Sequence, residues 1–438
     1  MGSGISAGLA ACGDSELHEA FAGLDQENKK KLLAAMTDVG TSKVGPLNIL
    51  LHEDVTMKGG AQIWLANCGE RLKAVGHTIT FLLPEGSEII ADCEAYGATV
   101  VQYSHEKSSA DPESCREAFT ELLKPAQVCV TLVRQKRDKY QNVRFIGSCI
   151  QEAGLKTFLI AKTGTPDPTY EAEFYGGPLL KTSPPQCCTI TIAEYTRQFI
   201  MDNFKIDGKF IQTIYNGTDT ARFKRTPEMA VEAKKRYPIP DGKFVVGSIG
   251  RFVPVKGQKV LLKAARKCID SGKVPNIHIL MVGEGELKGE IMQMIETLKL
   301  EEHVSVHEFT KEPFFVFERC NVVAMPSFLE GLPNVLLEAL AMETPCIASR
   351  IMGCPEVVVD GETGFCFDAG DLKDESTWDA MAEGCADAIA KIAALDDAGR
   401  AKMAENGKKL VFELHDKVKT FQKILDVIQE KAAEAAAK

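Results

Sequence analysis

Two cations stand at the start of a predicted helix in the second half of the chain. Arg251 and Lys256 lie in residues 250–257, directly after the predicted strand KFVVGSIG. The helix dipole opposes positive charge at this position, so the arrangement favours a bound anion. Arginine offers a bidentate fork to phosphate oxygens and lysine a mobile point charge, which together suit a diphosphate. The segment therefore predicts a diphosphate site, and that prediction would fail if protein carboxylates neutralised both cations.

A second segment, PSFLEGLPNVLLEALA at residues 326–341, carries Glu330 and Glu338 eight positions apart. Pro333 suits the first turn of a helix, so the amides of residues 331–334 should open toward a ligand, with Glu330 preceding them. Glu338 falls among leucines, where a carboxylate needs a polar partner. A ribose diol is one such partner, and a Lys or Arg elsewhere in the chain is the other.

Three shorter motifs allow more than one interpretation. Gly59-Gly60 precedes a predicted helix, where it either lets the backbone approach an anion or forms a tight turn. Gly283-Glu284-Gly285 lacks the full dinucleotide fingerprint and is mainly typical of a turn, with ligand contact as the second interpretation. Glu356 either contacts the ligand or simply starts a short helix.

Composition excludes several classes of protein. The 438 residues suit two α/β domains, and a net charge of -10 provides no overall field for nucleic acid or an anionic membrane. The 14 cysteines show no C-x-x-C pair, which indicates reduced thiols in a cytoplasmic protein. No apolar run approaches the roughly 18 residues that a membrane span needs.

The N-terminus offers one route to a membrane. Gly2 lies in a sequence that fits the myristoylation pattern M-G-x-x-x-[ST], and Cys12 is available for a second lipid. Such a lipid would give peripheral membrane contact, although so short a pattern also arises by chance.

Short apolar runs alternate with amphipathic stretches along most of the chain, which predicts an α/β protein with parallel sheets. We expect a helical appendage at residues 1–44, a first domain at 45–217 and a second domain at 218–400. Residues 401–438 are predicted to form a C-terminal helix that packs back on the first domain. Ligands of such sheets bind at the carboxyl ends of the strands, where all the motifs above fall.

Five segments in order resemble the family 4 retaining glycosyltransferases. They are GGAQIWLANCGERLKAVGHTITFL, IYNGTDTARF, GRFVPVKGQKVLLKA, MVGEGELKGEI and PSFLEGLPNVLLEALA with PCIASRIMGCPEVVVDGETGF. The resemblance covers roughly residues 47–370. It implies a GT-B fold, in which two Rossmann-like doubly wound domains face each other across a cleft. It also implies a nucleotide diphosphate sugar as donor, with no metal and no cofactor, and an acceptor (glycan, lipid or small molecule) that it does not identify.

The resemblance assigns roles to individual residues. Arg251 and Lys256 would neutralise the departing diphosphate, Glu330 would lie near the donor sugar, and Glu338 would hold the ribose. Arg251, Lys256 and Glu330 form the implied catalytic set. The implied donor-binding residues are Gly59, Gly60, Arg251, Lys256, Gly283, Glu284, Glu330, Gly331, Leu332, Pro333, Asn334 and Glu338.

Two departures from the family pattern stand out. Many members carry a His near the end of the central first-domain strand, and QVCVTLVRQK has none. His52 and His105 lie at strand ends on the correct side, where an isolated His is more often structural. Glu343 occupies the position after the helix that is usually Gly, which predicts a modest cost in stability.

Three other functions remain open at this point. A sugar-nucleotide epimerase or a glycan phosphorylase could share the architecture, and a pseudoenzyme could keep the nucleotide site without turnover. A dinucleotide dehydrogenase is disfavoured, because no G-x-G-x-x-G followed by an acidic residue is present.

Overall fold

Short segments rich in Val, Ile and Leu form the strands of two separate sheets. The computed structural model describes residues 45–136 and 139–437, so the predicted appendage at 1–44, with Gly2 and Cys12, lies outside the described residues. Each strand pairs in parallel with its neighbours. Parallel strands are covered on both faces, which is why these runs are continuously apolar.

The strands of the first domain are β1 Asn48–His52, β2 Thr78–Pro84, β3 Thr99–Tyr103, β4 Val128–Leu132, β5 Phe158–Thr163, β6 Cys187–Thr191 and β7 Ile211–Thr213. They lie across the sheet in the order β3-β2-β1-β4-β5-β6-β7. The helices are α1 Gly60–Ala74, α2 Ile90–Ala95, α3 His105–Ala110, α4 Arg116–Leu123, α5 Asn142–Glu152 and α6 Glu194–Phe204.

The second domain repeats this plan. Its strands are β8 Phe244–Ile249, β9 Ile277–Val282, β10 Val304–His307, β11 Val322–Met325, β12 Cys346–Ser349 and β13 Gly364–Phe367, in the order β10-β9-β8-β11-β12-β13. Its helices are α7 Pro227–Arg236, α8 Gln258–Asp270, α9 Lys288–Thr297, α10 Phe314–Arg319, α11 Asn334–Ala341, α12 Cys354–Val357 and α13 Trp378–Ala393. The prediction of two Rossmann-like doubly wound sheets is confirmed.

Each sheet reverses its strand order once, between β1 and β4 in the first and between β8 and β11 in the second. Loops diverge at such a point and leave a crevice at the carboxyl ends of the strands. The two crevices face each other. A Cβ built on Gly60 of the first domain would lie 3.6 Å from Asn334 Nδ2, and one on Gly331 would lie 3.3 Å from the Gly164 carbonyl carbon.

Over residues 45–136 and 139–437 the chain crosses between the domains twice, and this corrects the predicted single helix at 401–438. Helix α14, Asp397–Leu414, packs on the second domain, whereas helix α15, Lys417–Ala436, packs on the first sheet. The break follows from Asp416, whose carboxylate caps α15 by accepting from the amides of Val418 (2.9 Å) and Lys419 (3.1 Å). Only residues 417–436 therefore return to the first domain.

The two crossing segments are hydrogen-bonded to each other. The Thr218 amide donates to the His415 carbonyl (2.7 Å), and the Lys417 amide donates to the Thr218 carbonyl (3.0 Å). The Thr220 hydroxyl also donates to the Asp416 carboxylate (2.5 Å). These bonds form a short parallel ladder, which joins the two domains along one side of the cleft.

Two local features add to the sequence interpretation. Residues 164–185, which connect β5 to β6, bury Phe174, Tyr175 and Leu179 in the first-domain core, because their apolar side chains pack against α5. Glu343 adopts the left-handed φ of 56° that a glycine would favour, and its carboxylate accepts from Lys408 at 2.7 Å.

Candidate functional site

The loop at residues 250–257 is fixed by close backbone packing. Gly257 has φ of 67°, and a Cβ at this position would lie 1.8 Å from the Pro326 carbonyl oxygen. The Phe328 amide donates to the Val255 carbonyl at 2.8 Å. The loop after β8 and the loop after β11 therefore form one packed unit, which brings Lys256 of the predicted diphosphate site beside Glu330.

Arg251 and Lys256 differ in what they contact. The Arg251 side chain is exposed and makes no hydrogen bond or ion pair within residues 45–136 and 139–437. The Lys256 ammonium forms an ion pair with Glu330, whose Oε1 also accepts from the Ser327 hydroxyl at 2.9 Å. Only one of the two cations is thus engaged by a carboxylate, and that carboxylate belongs to the predicted site itself.

The Gly283-Glu284-Gly285 turn supports the 250–257 loop from below. A Cβ on Gly283 would lie 1.9 Å from the Gly250 carbonyl oxygen, and one on Gly285 would lie 2.4 Å from that of Phe252. The Phe252 amide donates to the Glu284 carbonyl at 2.7 Å. Packing alone accounts for both glycines, while the Glu284 side chain is exposed.

The segment 331–334 starts helix α11 at the mouth of the second sheet. Pro333 is the residue before the helix rather than its first residue, and no side chain caps the helix. Leu332 and Pro333 are buried, whereas Asn334 is exposed on the cleft side, where its Oδ1 accepts from Asn216 at 3.3 Å. A helix start without a cap presents free amides, which suits an anionic ligand.

Glu338 carries a largely buried carboxyl group one turn into α11. It makes no side-chain hydrogen bond or ion pair to any residue that the structure describes, so the Lys or Arg partner considered above is not found there. Burial raises the pKa of Glu338 from 4.5 to about 7, and the nearby Arg222 guanidinium opposes this rise. The group is therefore a hydrogen-bonding side chain in need of a partner.

Gly59 and Gly60 lie across the cleft from α11. Gly59 precedes helix α1, and its amide donates to Gln62 Oε1 at 3.0 Å. Gly60 approaches Asn334 so closely that a Cβ would be 3.6 Å from its Nδ2 atom. The fold therefore brings together the predicted residues of both domains.

Sequence reasoning missed a buried charge network beneath the Gly59-Gly60 loop. Glu53, fully buried just after β1, accepts from Arg134 Nε at 2.8 Å and from Gln62 Nε2 at 2.7 Å. Gln62 in turn holds the Gly59 amide, so the network sets the position of the loop. The available signal was the charged residues that follow two buried strands: Glu53 and Asp54 directly after β1, and Arg134 and Lys136 shortly after β4.

The two candidate histidines, His52 and His105, lie in the first domain close to Tyr103. His52 is buried, with Nδ1 2.8 Å from the Thr131 hydroxyl and Nε2 3.4 Å from the Tyr103 hydroxyl, and burial lowers its pKa to about 3. His105 starts α3, and its ring lies 6.5 Å from that of Tyr103. His52 is thus a neutral core residue, and the structural interpretation fits it.

The described part of the chain has neither a cluster of metal-binding side chains nor a membrane-spanning helix. In residues 45–136 and 139–437, no group of three or more His, Cys, Asp or Glu side chains has an arrangement that could hold a metal ion. Over the same residues, the helices are too short or too polar to traverse a bilayer.

The arrangement of the two domains is the GT-B fold. A glycosyltransferase from Rickettsia africae ESF-5 superposes with a TM-score of 0.74 at 18% identity, covering 89% of this chain and 99% of its own. HepE of Anabaena in complex with UDP superposes with a TM-score of 0.72 at 18% identity, covering 88% of this chain and 100% of its own. At this identity the likeness establishes the fold.

The sequence comparison points to glycosyltransferases for the second domain. Residues 230–410 match the family described as Glycosyl transferases group 1. The capsular polysaccharide biosynthesis glycosyltransferase CapM of Staphylococcus aureus is 30% identical over 181 residues, which are 41% of this chain and 44% of CapM. The chain spans about half the length of the curated relatives it matches. Residues 230–410, which match the family, contain Arg251, Lys256, Glu330 and Glu338.

Proposed function

We propose that this protein is a retaining glycosyltransferase of family 4 type, which transfers a sugar from a nucleotide diphosphate sugar to an acceptor. One observation carries the proposal: the free Arg251 guanidinium, the Lys256 ammonium and the uncapped start of α11 lie on two loops that pack against each other. Cations and amides held in place stabilise negative charge on a leaving diphosphate without reorganisation. HepE, a neighbour in fold, is described in complex with UDP, which supports a nucleotide donor.

The proposed roles follow from where each group lies. Arg251 and Lys256 bind the diphosphate, and the α11 amides complete the anion site. The Glu338 carboxyl accepts from the ribose hydroxyls, which supply the polar partner that the apolar helix does not. Glu330 lies near the donor sugar, and Gly59-Gly60 closes on the phosphates from the first domain. The resemblance supports retention and independence from metal.

The Lys256–Glu330 ion pair gives donor binding a second effect. Two phosphates carry more negative charge than one carboxylate, so a bound diphosphate competes for the Lys256 ammonium. When Lys256 turns to the phosphate, Glu330 keeps only its bond from Ser327 and becomes available to the sugar. Donor binding therefore prepares the carboxylate that the reaction requires.

The first experiment measures thermal shifts with UDP, GDP and ADP and with their sugars, in buffer containing EDTA because the proposal requires no metal. A nucleoside diphosphate should raise Tm of the wild type, and Arg251→Ala/Lys256→Ala should abolish the rise. Lys234→Ala/Lys235→Ala removes the same charge from helix α7 and serves as control. A normal rise in the Arg251→Ala/Lys256→Ala variant would refute the diphosphate assignment.

The second candidate is a pseudoenzyme that binds the nucleotide sugar without turnover. The absence of His from β4 and the burial of His52 favour it. A labelled donor separates the alternatives: transfer with an unchanged anomeric configuration supports the proposal, and an epimerised nucleotide sugar supports an epimerase. Binding with neither transfer nor slow donor hydrolysis would identify the pseudoenzyme.

A further inference from the structure

The Glu356 carboxylate links the two domains at a helix start. Glu356 lies on α12 of the second domain, and its Oε2 accepts from the Glu194 amide at 2.8 Å. Its Oε1 accepts from the Tyr195 amide, also at 2.8 Å. Both amides begin helix α6 of the first domain. Tyr215, on the segment that joins the domains, lies near the same carboxylate, whose negative charge adds to burial in raising the Tyr215 pKa.

Helix α6 has no cap of its own. The residue before it is Ala193, which has no side-chain acceptor. The Glu194 carboxylate is turned away, accepting from Arg197 Nη1 at 2.8 Å and from the Thr213 hydroxyl at 2.6 Å. A carboxylate at a helix N-terminus satisfies free amides and complements the dipole. Because Glu356 supplies this cap from the other domain, the stabilisation exists only while the domains hold this arrangement.

The segment that carries Glu356 is tied to the loop that carries Glu330. The Gly353 amide donates to the Gly331 carbonyl at 3.1 Å. A Cβ on Gly353 would lie 2.4 Å from the Gly331 oxygen and 3.0 Å from the Ala193 Cβ. The start of α6 therefore contacts α12, and the residue before α12 contacts the loop that precedes α11.

We infer that Glu356 is a positioning residue, which holds the first domain against the Glu330 loop in the closed arrangement required for sugar transfer. The catalytic part of this inference rests on the proposed function, but the contact itself does not. Glu356 lies outside the predicted diphosphate site, so its removal should leave nucleotide binding to the second domain intact. Removing the Glu356 carboxylate should instead lower the fraction of molecules in the closed arrangement, in which the two crevices face each other.

The contact is tested first without any assay of activity. Hydrogen exchange of peptides covering residues 192–198 should accelerate in Glu356→Ala and less so in Glu356→Gln, whose amide oxygen can still accept one bond. Small-angle scattering should show a larger radius of gyration for Glu356→Ala with UDP, GDP or ADP present. The control is Glu362→Gln, because Glu362 is exposed and its side chain makes no hydrogen bond or ion pair to a described residue. Unchanged exchange at residues 192–198 in Glu356→Ala would overturn the inference.

Kinetics then separates positioning from direct ligand contact. We expect Glu356→Ala to lower kcat at least about 10-fold while Kd for the nucleoside diphosphate changes less than about 3-fold. Tyr215→Phe should lower kcat less, and Glu356→Gln should restore part of it. A parallel loss of nucleotide affinity would place Glu356 on the donor and overturn the positioning role, as would an unchanged kcat. If the wild type turns over no nucleotide sugar, the proposed function fails, while exchange and scattering still decide the contact.

Discussion

Replacing Glu338 by Gln should stabilise the protein at alkaline pH and much less at acidic pH. In the folded chain the Glu338 pKa is raised from 4.5 to about 7, because burial disfavours the ionised form. The folded state therefore holds this proton more tightly than the unfolded state. The stability that the protonated Glu338 carboxyl gives the folded state is fully present below about pH 4.5. It is lost as pH rises through about 7, where the buried carboxyl ionises. A glutamine side chain is neutral at every pH in this range, so Glu338→Gln avoids the loss.

The size of the effect follows from the same pKa. A rise from 4.5 to about 7 corresponds to up to about 3.5 kcal/mol, at about 1.4 kcal/mol for each pKa unit. For a domain of this size that amounts to roughly 7 to 14 °C in Tm. Calorimetry from pH 5 to pH 8 should show Glu338→Gln melting above the wild type at pH 8, with most of the difference gone at pH 5. Glu362→Gln, at an exposed position, should show no such trend.

The same variant separates stability from binding. If the ribose supplies the missing partner of Glu338, Glu338→Gln should weaken nucleoside diphosphate binding about 10- to 100-fold, since the charged acceptor is lost and one neutral amide oxygen replaces two carboxylate oxygens. We therefore expect Glu338→Gln to gain stability and lose nucleotide affinity, the trade-off that is common at functional sites. A Tm difference that does not vary with pH would refute the buried, unpartnered carboxyl. Unchanged affinity would remove Glu338 from the ribose site.

Two further predictions concern the loops of the second domain. Glu330→Gln should lower kcat about 100- to 1000-fold, yet nucleoside diphosphate affinity should hold or increase, because Lys256 is released from its ion pair; calorimetric titration beside steady-state rates checks this, and equal losses in both would contradict it. Gly257→Ala should destabilise the second domain by about 3 kcal/mol in denaturant unfolding, because its Cβ would meet the Pro326 oxygen at 1.8 Å. Gly289→Ala, with open space around its Cβ, is the matched control and should cost little.

Much of the fold was predictable because its signals are local. Each strand was visible as a short apolar run between polar or glycine-rich turns, and the parallel sheets place the loop residues at one edge. The break between α14 and α15 was not predicted, because the helical spacing of apolar residues continues from Leu410 through Leu425. Asp416 was a usable signal, since an Asp two or three residues before free amides is a typical cap.

The site was predictable where residue type alone restricts conformation or chemistry. Gly257 and the cations of its loop could be identified from type and spacing. The pairing of Lys256 with Glu330, of Glu53 with Arg134, and of Glu356 with α6 could not. Each of these joins residues more than 70 positions apart, and only the completed fold determines which opposite charge or free amide lies within reach.

The contacts across the cleft indicate how closure can be reversible. Each domain has its own apolar core, and Ile192 and Ala193 of the first domain also pack against apolar residues of the second. The contacts between Asn216 and Asn334 and between Glu356 and α6, by contrast, are polar. Water can replace polar partners when the cleft opens, so separating these groups costs less than separating apolar surfaces of similar size. The ladder between the crossing segments can persist meanwhile, because it lies at the connection itself. A donor that contacts Gly60 from one side and Arg251 from the other, as proposed above, would bind fully only in the closed arrangement, and that difference in affinity would drive closure.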